Sequence, residues 1–515
     1  MTVNTRTGLT LLPCALALGL LGDQLLRATL GLNVFLWVSV GLAAMALVAV
    51  RLRMPALGEG AWLAIPAVLL SAGVAWRDST TLKALDILGL LACLAVGAAR
   101  TRTGQVRLVG VLDYALDALY ALFLTCFGVW GVLFGDIAWK EVPRTGWLPR
   151  ALAVGRGLIL VLPLLLLFGA LLMAADAVYR HLVSQVLCFD LGALVGHALV
   201  ALLLTGLVAG WGRALLLGNA PALPAEKRAS LPSLGAVETG TILGLLNMLF
   251  LSFVLVQFRY FFGAAATVQA TAGLTVAEYA RSGFFHLVWV AALVLPFLLG
   301  LHWLQRPGDA RAQRLFSWQA GLQVALLFVI MASALLRMRL YQGEYGLTEL
   351  RLYTTAFMGW LAVVFAWFGW TVLRGRRALF ASGAALAGFC ALLALHIVNP
   401  DAAIVRANLD LARRGHAFDA AYAASLSADA APALTSALPL LPPPTQGKLA
   451  ASLLRAWSGP ADWRAWSWGR AQALGAVQSQ RAALLGEQSA LPAPLPKSEG
   501  NQPKLEVRFA GRKRH

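Results

Sequence analysis

The sequence predicts an all-α, polytopic transmembrane helical bundle of about 11–12 spans, followed by a small helical C-terminal extramembrane region. Three observations predict it. Between Leu9 and Val398 one apolar run succeeds another, cut only by short loops of Arg, Lys, Gly and Pro. Hydrophobic residues make up 59% of 515 and charged residues 13%, too few to give a soluble core of that size a polar skin. The runs reach the ~20 residues a bilayer requires, and in lipid only a helix satisfies its own backbone.

The elements follow in order. Residues 1–107 form an N-terminal four-span bundle, with spans near 8–24, 31–50, 60–76 and 82–99. The first follows a basic start but lacks a clean small-x-small cleavage site, so it reads as a span and not a signal peptide. Residues 108–150 read as a re-entrant or interfacial segment and loop, because the apolar stretch 122–134 is preceded by Asp113 and Asp117. Residues 151–398 form a seven-span bundle: 155–176, 190–211, 236–258, 282–303, 315–336, 353–373 and 378–397. Residues 399–485 carry helical periodicity in an extracytoplasmic tail, with a stiff linker at 438–447 around Pro442-Pro443-Pro444. Residues 486–515 are rich in Pro, Gly, Ser and charge and read as a disordered basic C-terminus.

Loop charge arbitrates the crossings. Basic clusters at Arg51/Arg53, Arg100/Arg102/Arg107, Arg213/Lys227/Arg228, Arg306/Arg311/Arg314 and Arg374/Arg376/Arg377 share one side only if an even number of crossings separates Arg107 from Arg213. Segment 108–137 then crosses twice as a hairpin or not at all; a simple twelfth span is the alternative. Eleven crossings place the N-terminus in the cytoplasm and the tail in the periplasm of a bacterial inner membrane. The net charge of +18 is thereby a topology signal, and nucleic-acid binding is not implied.

Cys14, Cys93, Cys126, Cys188 and Cys390 lie in or beside apolar segments without C-x-x-C spacing, which implies neither a disulfide framework nor a metal site; no cofactor is expected. Gly192/Gly196, Gly206/Gly210 and Gly240/Gly244 are pairs four apart that let helix backbones approach. Pro66, Pro163 and Pro296 are expected to kink their spans. Ionisable or large polar groups at membrane depth are candidate functional residues: His197, Glu238, Asn247 and His286. For each, an interhelical hydrogen bond is the plainer role.

The loops of the tail side are richer. They collect Arg259, Tyr260, Glu278, Tyr279, Arg281, Glu344, Tyr345, Glu349, Arg351 and Tyr353, a cluster suited to carboxylate, anionic-lipid or phosphate pairing and to tyrosine at headgroup level. A structural salt bridge between Glu349 and Arg351 is expected.

These loops also carry a family resemblance. Arg259-Tyr260-Phe261-Phe262-Gly263, the stretch 273–285, and Tyr345-Gly346-Leu347-Thr348-Glu349-Leu350-Arg351-Leu352-Tyr353 resemble a bacterial polytopic inner-membrane family of unknown function, DUF4173, related to DUF4153. Leu171-Leu172 with Ala175-Asp176-Ala177-Val178, and Asn399-Pro400-Asp401-Ala402 through Asn408-Leu409, extend the resemblance over roughly 150–435. His286 stands where the family pattern has Glu, and Ala177 where it has Pro. The resemblance implies an inner-membrane location and this helical plan, and no activity.

In the tail, Trp457, Trp463, Trp466 and Trp468 lie among Arg455, Arg464 and Arg470. They fit packing inside a helical hairpin, the membrane surface, or stacking on sugar rings of envelope polymers. The function expected is a non-enzymatic envelope scaffold or signalling component with a partner-binding outer face. The partners are the lipid bilayer and an envelope protein or anionic lipid. A small-solute or lipid transporter is one alternative. A membrane-embedded transferase is another, with Asp23, Glu278, Glu344 and Glu349 as its carboxylates.

Overall fold

The computed structural model describes residues 2–54, 58–101, 110–141, 191–218, 233–262, 284–305, 308–457 and 462–489, with Gly459 and scattered positions in 154–179. Among them, eleven helices are long and apolar enough to cross a membrane. They are α1 (Val3–Leu26), α2 (Leu32–Arg51), α3 (Ala64–Trp76, behind a 3-10 turn at Glu59–Leu63), α4 (Thr80–Arg100), α5 (Val111–Gly131), α6 (Leu191–Leu217), α7 (Ala236–Phe262), α8 (Phe284–Trp303), α9 (Ala310–Tyr345), α10 (Glu349–Thr371) and α11 (Phe380–Val398). The chain is a multi-pass helical membrane protein. Its outward faces expose Val50, Leu88, Leu122, Phe127, Leu202, Leu249, Trp289 and Trp318, a surface that water would not tolerate and hydrocarbon does. The expected span 155–176 lies largely outside the described residues, as does Pro163.

The helices pack in two groups. Phe284, Phe316, Leu327, Met358, Phe365 and Phe368 form the core of α7–α11. Leu11, Ala15, Met45, Val48 and Ala209 join α1, α2 and α6. The bridge between the groups is α11, whose Phe389 and Leu392 reach the Val34–Leu70–Leu90 cluster of α2, α3 and α4.

Contacts orient the ends. Gly22 of α1 packs on Leu204 and Asp23 meets His197, whereas Leu11 packs on Gly212, so α1 and α6 are antiparallel. On α7 and α9, Gly240 meets Leu315 and Gln257 meets Ser333, so these two are parallel. The tail, which leaves α11 at Asn399, meets the C-terminal end of α1 through Arg464 and the Gln24 carbonyl, so the N-terminus lies at one end of the bundle and the chain after α11 at the other. Arg51, Arg53, Arg100, Arg213, Arg311, Arg314, Arg374, Arg376 and Arg377 all fall at the N-terminal end.

Segment 108–137 is not a hairpin. It is the single helix α5, prolonged by a π turn at Val132–Asp136. Both halves are tied to the same end of the bundle. Asp117 takes Arg100 Nε at 2.5 Å, at the C-terminus of α4. Asp136 takes Arg213 Nε at 2.5 Å, near the C-terminus of α6. Just beyond, Glu141 accepts the Thr2 backbone N–H at 2.8 Å. A carboxylate at each half thus finds its arginine at the same end of the bundle.

Other expectations change in detail. Pro66 stands in the first turn of α3, where no helical hydrogen bond is lost, and does not kink it. Pro296 does lie inside α8, and Pro13 lies inside α1. The Gly pairs differ among themselves. A Cβ at Gly210 would strike the carbonyls of Leu124 and Thr125, and one at Gly128 would come 2.9 Å from Gly210 Cα; Gly196 has nothing within 4 Å.

The tail begins at a sharp corner. Asn399 takes a left-handed φ of 55°, closes α11, and caps α12 (Pro400–Arg413) by accepting the Ala402 N–H at 3.2 Å. Then come α13 (Ala420–Ser425), α14 (Ala431–Ala437), α15 (Pro443–Ala456), α16 (Trp468–Ser479) and α17 (Arg481–Ser489). Val405, Leu434, Leu438, Leu441, Leu449, Leu453, Val477 and Leu484 give these helices a core of their own. The expected linker at 438–447 is not one. Leu438 and Leu441 are core residues, and Pro443 and Pro444 open α15, where their missing N–H groups cost nothing.

Gly210→Val is expected to destabilise the bundle by about 1–3 kcal/mol through overpacking, while Gly196→Val leaves it unchanged; thermal unfolding in detergent compares the two.

Candidate functional site

The polar groups that sequence separates by up to 441 positions gather where the tail meets the bundle. The tail lies on three turns, 27–31, 77–79 and 346–348, and on the end of α11. Its central group is Asp429, at the 3-10 turn Ala428–Ala430, only 3% exposed. Asp429 Oδ2 accepts the backbone N–H groups of Asp78 at 2.5 Å and Ser79 at 3.1 Å, in the turn that leads into α4. Arg77 Nη1 stands 3.7 Å from its Oδ1. Burial pushes the Asp429 carboxyl up, and these donors and Arg77 pull it back. Gly469 of α16 is needed here, since a Cβ would strike the carboxylate.

Around this anchor the charges alternate. Lys83 Nζ donates to Asp78 Oδ1 at 2.6 Å and to the Leu30 carbonyl at 2.7 Å. Arg470 Nε meets the same Asp78 oxygen at 2.9 Å, and its Nη1 donates to Thr29 Oγ1 at 2.8 Å. Arg77 Nε donates to the His396 carbonyl at 2.8 Å. Beneath it, His396 Nε2 and Asp86 Oδ1 share a hydrogen bond of 3.1 Å, with Trp76 stacked on the imidazole at 5.4 Å. Asp86 Oδ2 and His396 Nδ1 have no partner. The Ser79 and Tyr353 hydroxyls share a bond of 2.9 Å.

A second contact closes the tail on the α9–α10 turn. Gly346, at φ +72°, lets the chain turn so that Leu347 N–H donates to Asn408 Oδ1 at 2.6 Å, while Asn408 Nδ2 donates to the Leu347 carbonyl at 2.9 Å. The Glu349 N–H donates to Tyr422 Oη at 2.8 Å. Asp401, fully buried, accepts from the Ser427 N–H at 3.2 Å and from its hydroxyl, and its Oδ1 is unpartnered. Burial, with Glu349 and Asp429 as like charges nearby, pushes the Asp401 carboxyl up to about 6.

The sequence candidates distribute unevenly over this geometry. Tyr353 belongs to the junction. Glu349 borders it through its backbone. Arg351 does not pair with Glu349, because side chains two apart on a helix do not face each other. It donates instead to the Tyr345 and Gly346 carbonyls at 3.0 and 2.5 Å and lies over the Tyr341 ring at 4.3 Å. Glu344 and Tyr345 are exposed on the same end. Arg259 and Tyr260 end α7; Glu278, Tyr279 and Arg281 lie outside the described residues.

Of the intramembrane candidates, Asn247 is buried and donates to the Gln319 carbonyl of α9 at 3.0 Å. Glu238 is exposed and accepts the Gly235 N–H at 3.0 Å, capping its own helix. His286 is exposed on the outer face of α8. His197 Nδ1 shares a 2.6 Å bond with Asp23 Oδ2, and Arg27 Nε holds the other Asp23 oxygen at 2.7 Å. Asp23 is 3% exposed and one turn from the end of α1, not at the bilayer centre.

Arg77, Asp78, Lys83 and Asp429 carry no signal in the sequence that sets them apart from other charged residues, and Arg470 is named there only as a neighbour of the tail tryptophans. The signals available were Tyr353 and the Asn399-Pro400-Asp401-Ala402 motif.

The model of the family described as Domain of unknown function (DUF4153) matches residues 64–437. The chain belongs to the DUF4153 family. The match takes in Arg77–Lys83, Tyr353, His396, Asp401, Asn408 and Asp429, while Thr29 and Arg470 fall outside it. Two segments that carried the resemblance, 345–353 and 399–409, are the pair that Asn408 binds together in this DUF4153 protein. No curated protein and no solved structure matches the chain.

Asp429→Ala strands Arg77 and two buried N–H groups and is expected to cost about 3–5 kcal/mol, whereas Asp410→Ala, which breaks an exposed pair with Arg413, costs about 0–1 kcal/mol; thermal unfolding measures both. Asp401 sets a pH dependence. Its folded form binds the proton more tightly than the ordinary 3.8, so its contribution is complete below that value and lost as pH rises through about 6. Tail stability should therefore fall between about pH 4 and 6.5, by on the order of 2 kcal/mol, and Asp401→Asn should flatten that slope.

Proposed function

We propose that this protein is a non-enzymatic scaffold or signalling component of a bacterial inner membrane, whose extracytoplasmic face presents a docked helical tail to a partner. The observation that carries this reading is the tail itself. It has its own core, and a buried, charge-balanced junction fixes it to the bundle. Such an arrangement holds a surface in place.

Orientation follows from charge. The basic loops gather at the N-terminal end, and the positive-inside rule assigns that end to the cytoplasm and the tail to the periplasm. The exposed side chains Glu344 and Tyr345 then face the envelope. An envelope protein or an anionic lipid suits this mixture of charge and tyrosine.

A transporter is the second reading, favoured by the Asp23–His197 pair, a histidine with the acidic partner that proton coupling uses. Its position at the rim of the bundle tells against it. So does the cavity of about 180 Å³ between α2, α3, α4 and α6, which is lined by Leu42, Met45, Leu94, Trp211 and Leu215 and is apolar.

In a deletion strain, Arg281→Ala and the pair Glu344→Ala/Tyr345→Ala are expected to impair complementation at normal protein levels, and His197→Ala to leave it intact. The reverse pattern would replace the scaffold by the transporter. A periplasm-dependent reporter fused after His515 should be active, and one fused after Arg53 inactive.

A further inference from the structure

We infer that the segment 462–470 is a lipid-surface anchor, with Trp463, Trp466 and Trp468 seated in the headgroup–glycerol layer of the leaflet on the tail side. The inference rests on the membrane location of the bundle and not on the scaffold reading.

The depth of the segment is fixed by the bundle. Helix α2 has 20 residues, about 30 Å at 1.5 Å per residue, the thickness of the hydrocarbon core. Leu32, its first residue, thus marks the hydrocarbon boundary at the tail end. Leu32 N–H donates to the Trp466 carbonyl at 2.8 Å. Gly31 fits against the Trp466 and Ala465 carbonyls, where a Cβ would come within 2.5 and 2.7 Å. Arg464 Nη1 donates to the Gln24 carbonyl at the end of α1, 2.7 Å away. Arg470 reaches Thr29 in the same turn. The segment is thereby stapled at the level where α1 leaves the membrane and α2 enters it.

The three indoles are 60%, 40% and 50% exposed, although Trp457 shows that this tail can pack a tryptophan on its own core. An indole left out of a core at this depth has a favourable place, since the ring is apolar and its N–H finds partners among headgroups. Leu30, 39% exposed, continues the patch on the bundle, and Val40 and Leu47 of α2 are exposed below it. The charge pattern narrows the lipid class. Arg464 is held by Asp462 at 2.7 Å and Arg470 by Asp78 at 2.9 Å, so neither arginine needs a lipid phosphate. The anchor reads the interface and not the headgroup charge.

The test uses the full chain with its five cysteines replaced by serine, reconstituted in phosphatidylcholine nanodiscs. Nitroxide labels are placed through Trp463→Cys, Trp468→Cys and Ser452→Cys, the last on α15, which packs on other tail helices. Collisions with oxygen and with a water-soluble nickel chelate report depth. Labels at 463 and 468 should lose nickel collisions relative to 452 and gain oxygen collisions, equally in pure phosphatidylcholine and in mixtures with phosphatidylglycerol. Nickel access at 463 and 468 equal to that at 452 would overturn the inference. So would protection that appears only with added phosphatidylglycerol or only with peptidoglycan fragments. Native tryptophan fluorescence gives an independent reading: chain-brominated lipid should quench wild type more than Trp463→Phe/Trp468→Phe, and equal quenching would count against the anchor.

Discussion

The arrangement depends on one carboxylate. Asp429 sits on the two N–H groups of the turn just ahead of α4, with Arg77 behind it, in a place nearly closed to water. Backbone donors in front of a helix N-terminus favour a negative charge there. What is unusual is that the charge arrives from a residue 350 positions later in the chain. Once it is seated, the tail has no freedom to choose another face. Arg470 must then meet Asp78, and Asn408 must meet the turn at Leu347. The ion pairs of this junction are mostly shielded, so breaking one leaves an uncompensated buried charge, and their value lies in specifying a single docked geometry as much as in stability.

The junction also links the two halves of the bundle. Arg77 and Trp76, at the end of α3, touch His396 of α11, and His396 touches Asp86 of α4. Helix α11 packs on both groups of helices, and the tail departs directly from it through Asn399. A change in protonation or contact at the tail would therefore be felt first by α11. Asp86, His396 and Asp401 each keep one buried side-chain atom without a partner here.

Much of the fold was legible in the sequence because a bilayer imposes length and hydropathy on each helix separately. Helix α2 is bounded by its own composition, and so is α8. Where a segment had to be judged by its partners, legibility fell. For segment 108–137 the sequence left a hairpin, a non-crossing piece and a simple span open, because Arg100 and Arg213, which hold its two carboxylates, lie on other helices. The Pro-rich stretch before α15 looked like a linker because local stiffness is visible in sequence, and the burial of Leu438 and Leu441 is not. The candidate site was legible only at its edge. Tyr353 and the Asn399–Asp401 corner were on the page, but Asp429 was one aspartate among many.

The sequence by itself determined that this chain folds in a bilayer, where most of its apolar helices lie, and where its basic loops collect, since each of these is a sum over neighbouring residues. Only the tertiary structure decided that the tail is docked, that Asp429 is its anchor, and that the exposed tryptophans stand beside the turn between α1 and α2. Those are pairings between groups tens to hundreds of residues apart. The energy of such a pair depends on burial and distance, quantities that exist only once the chain has closed on itself.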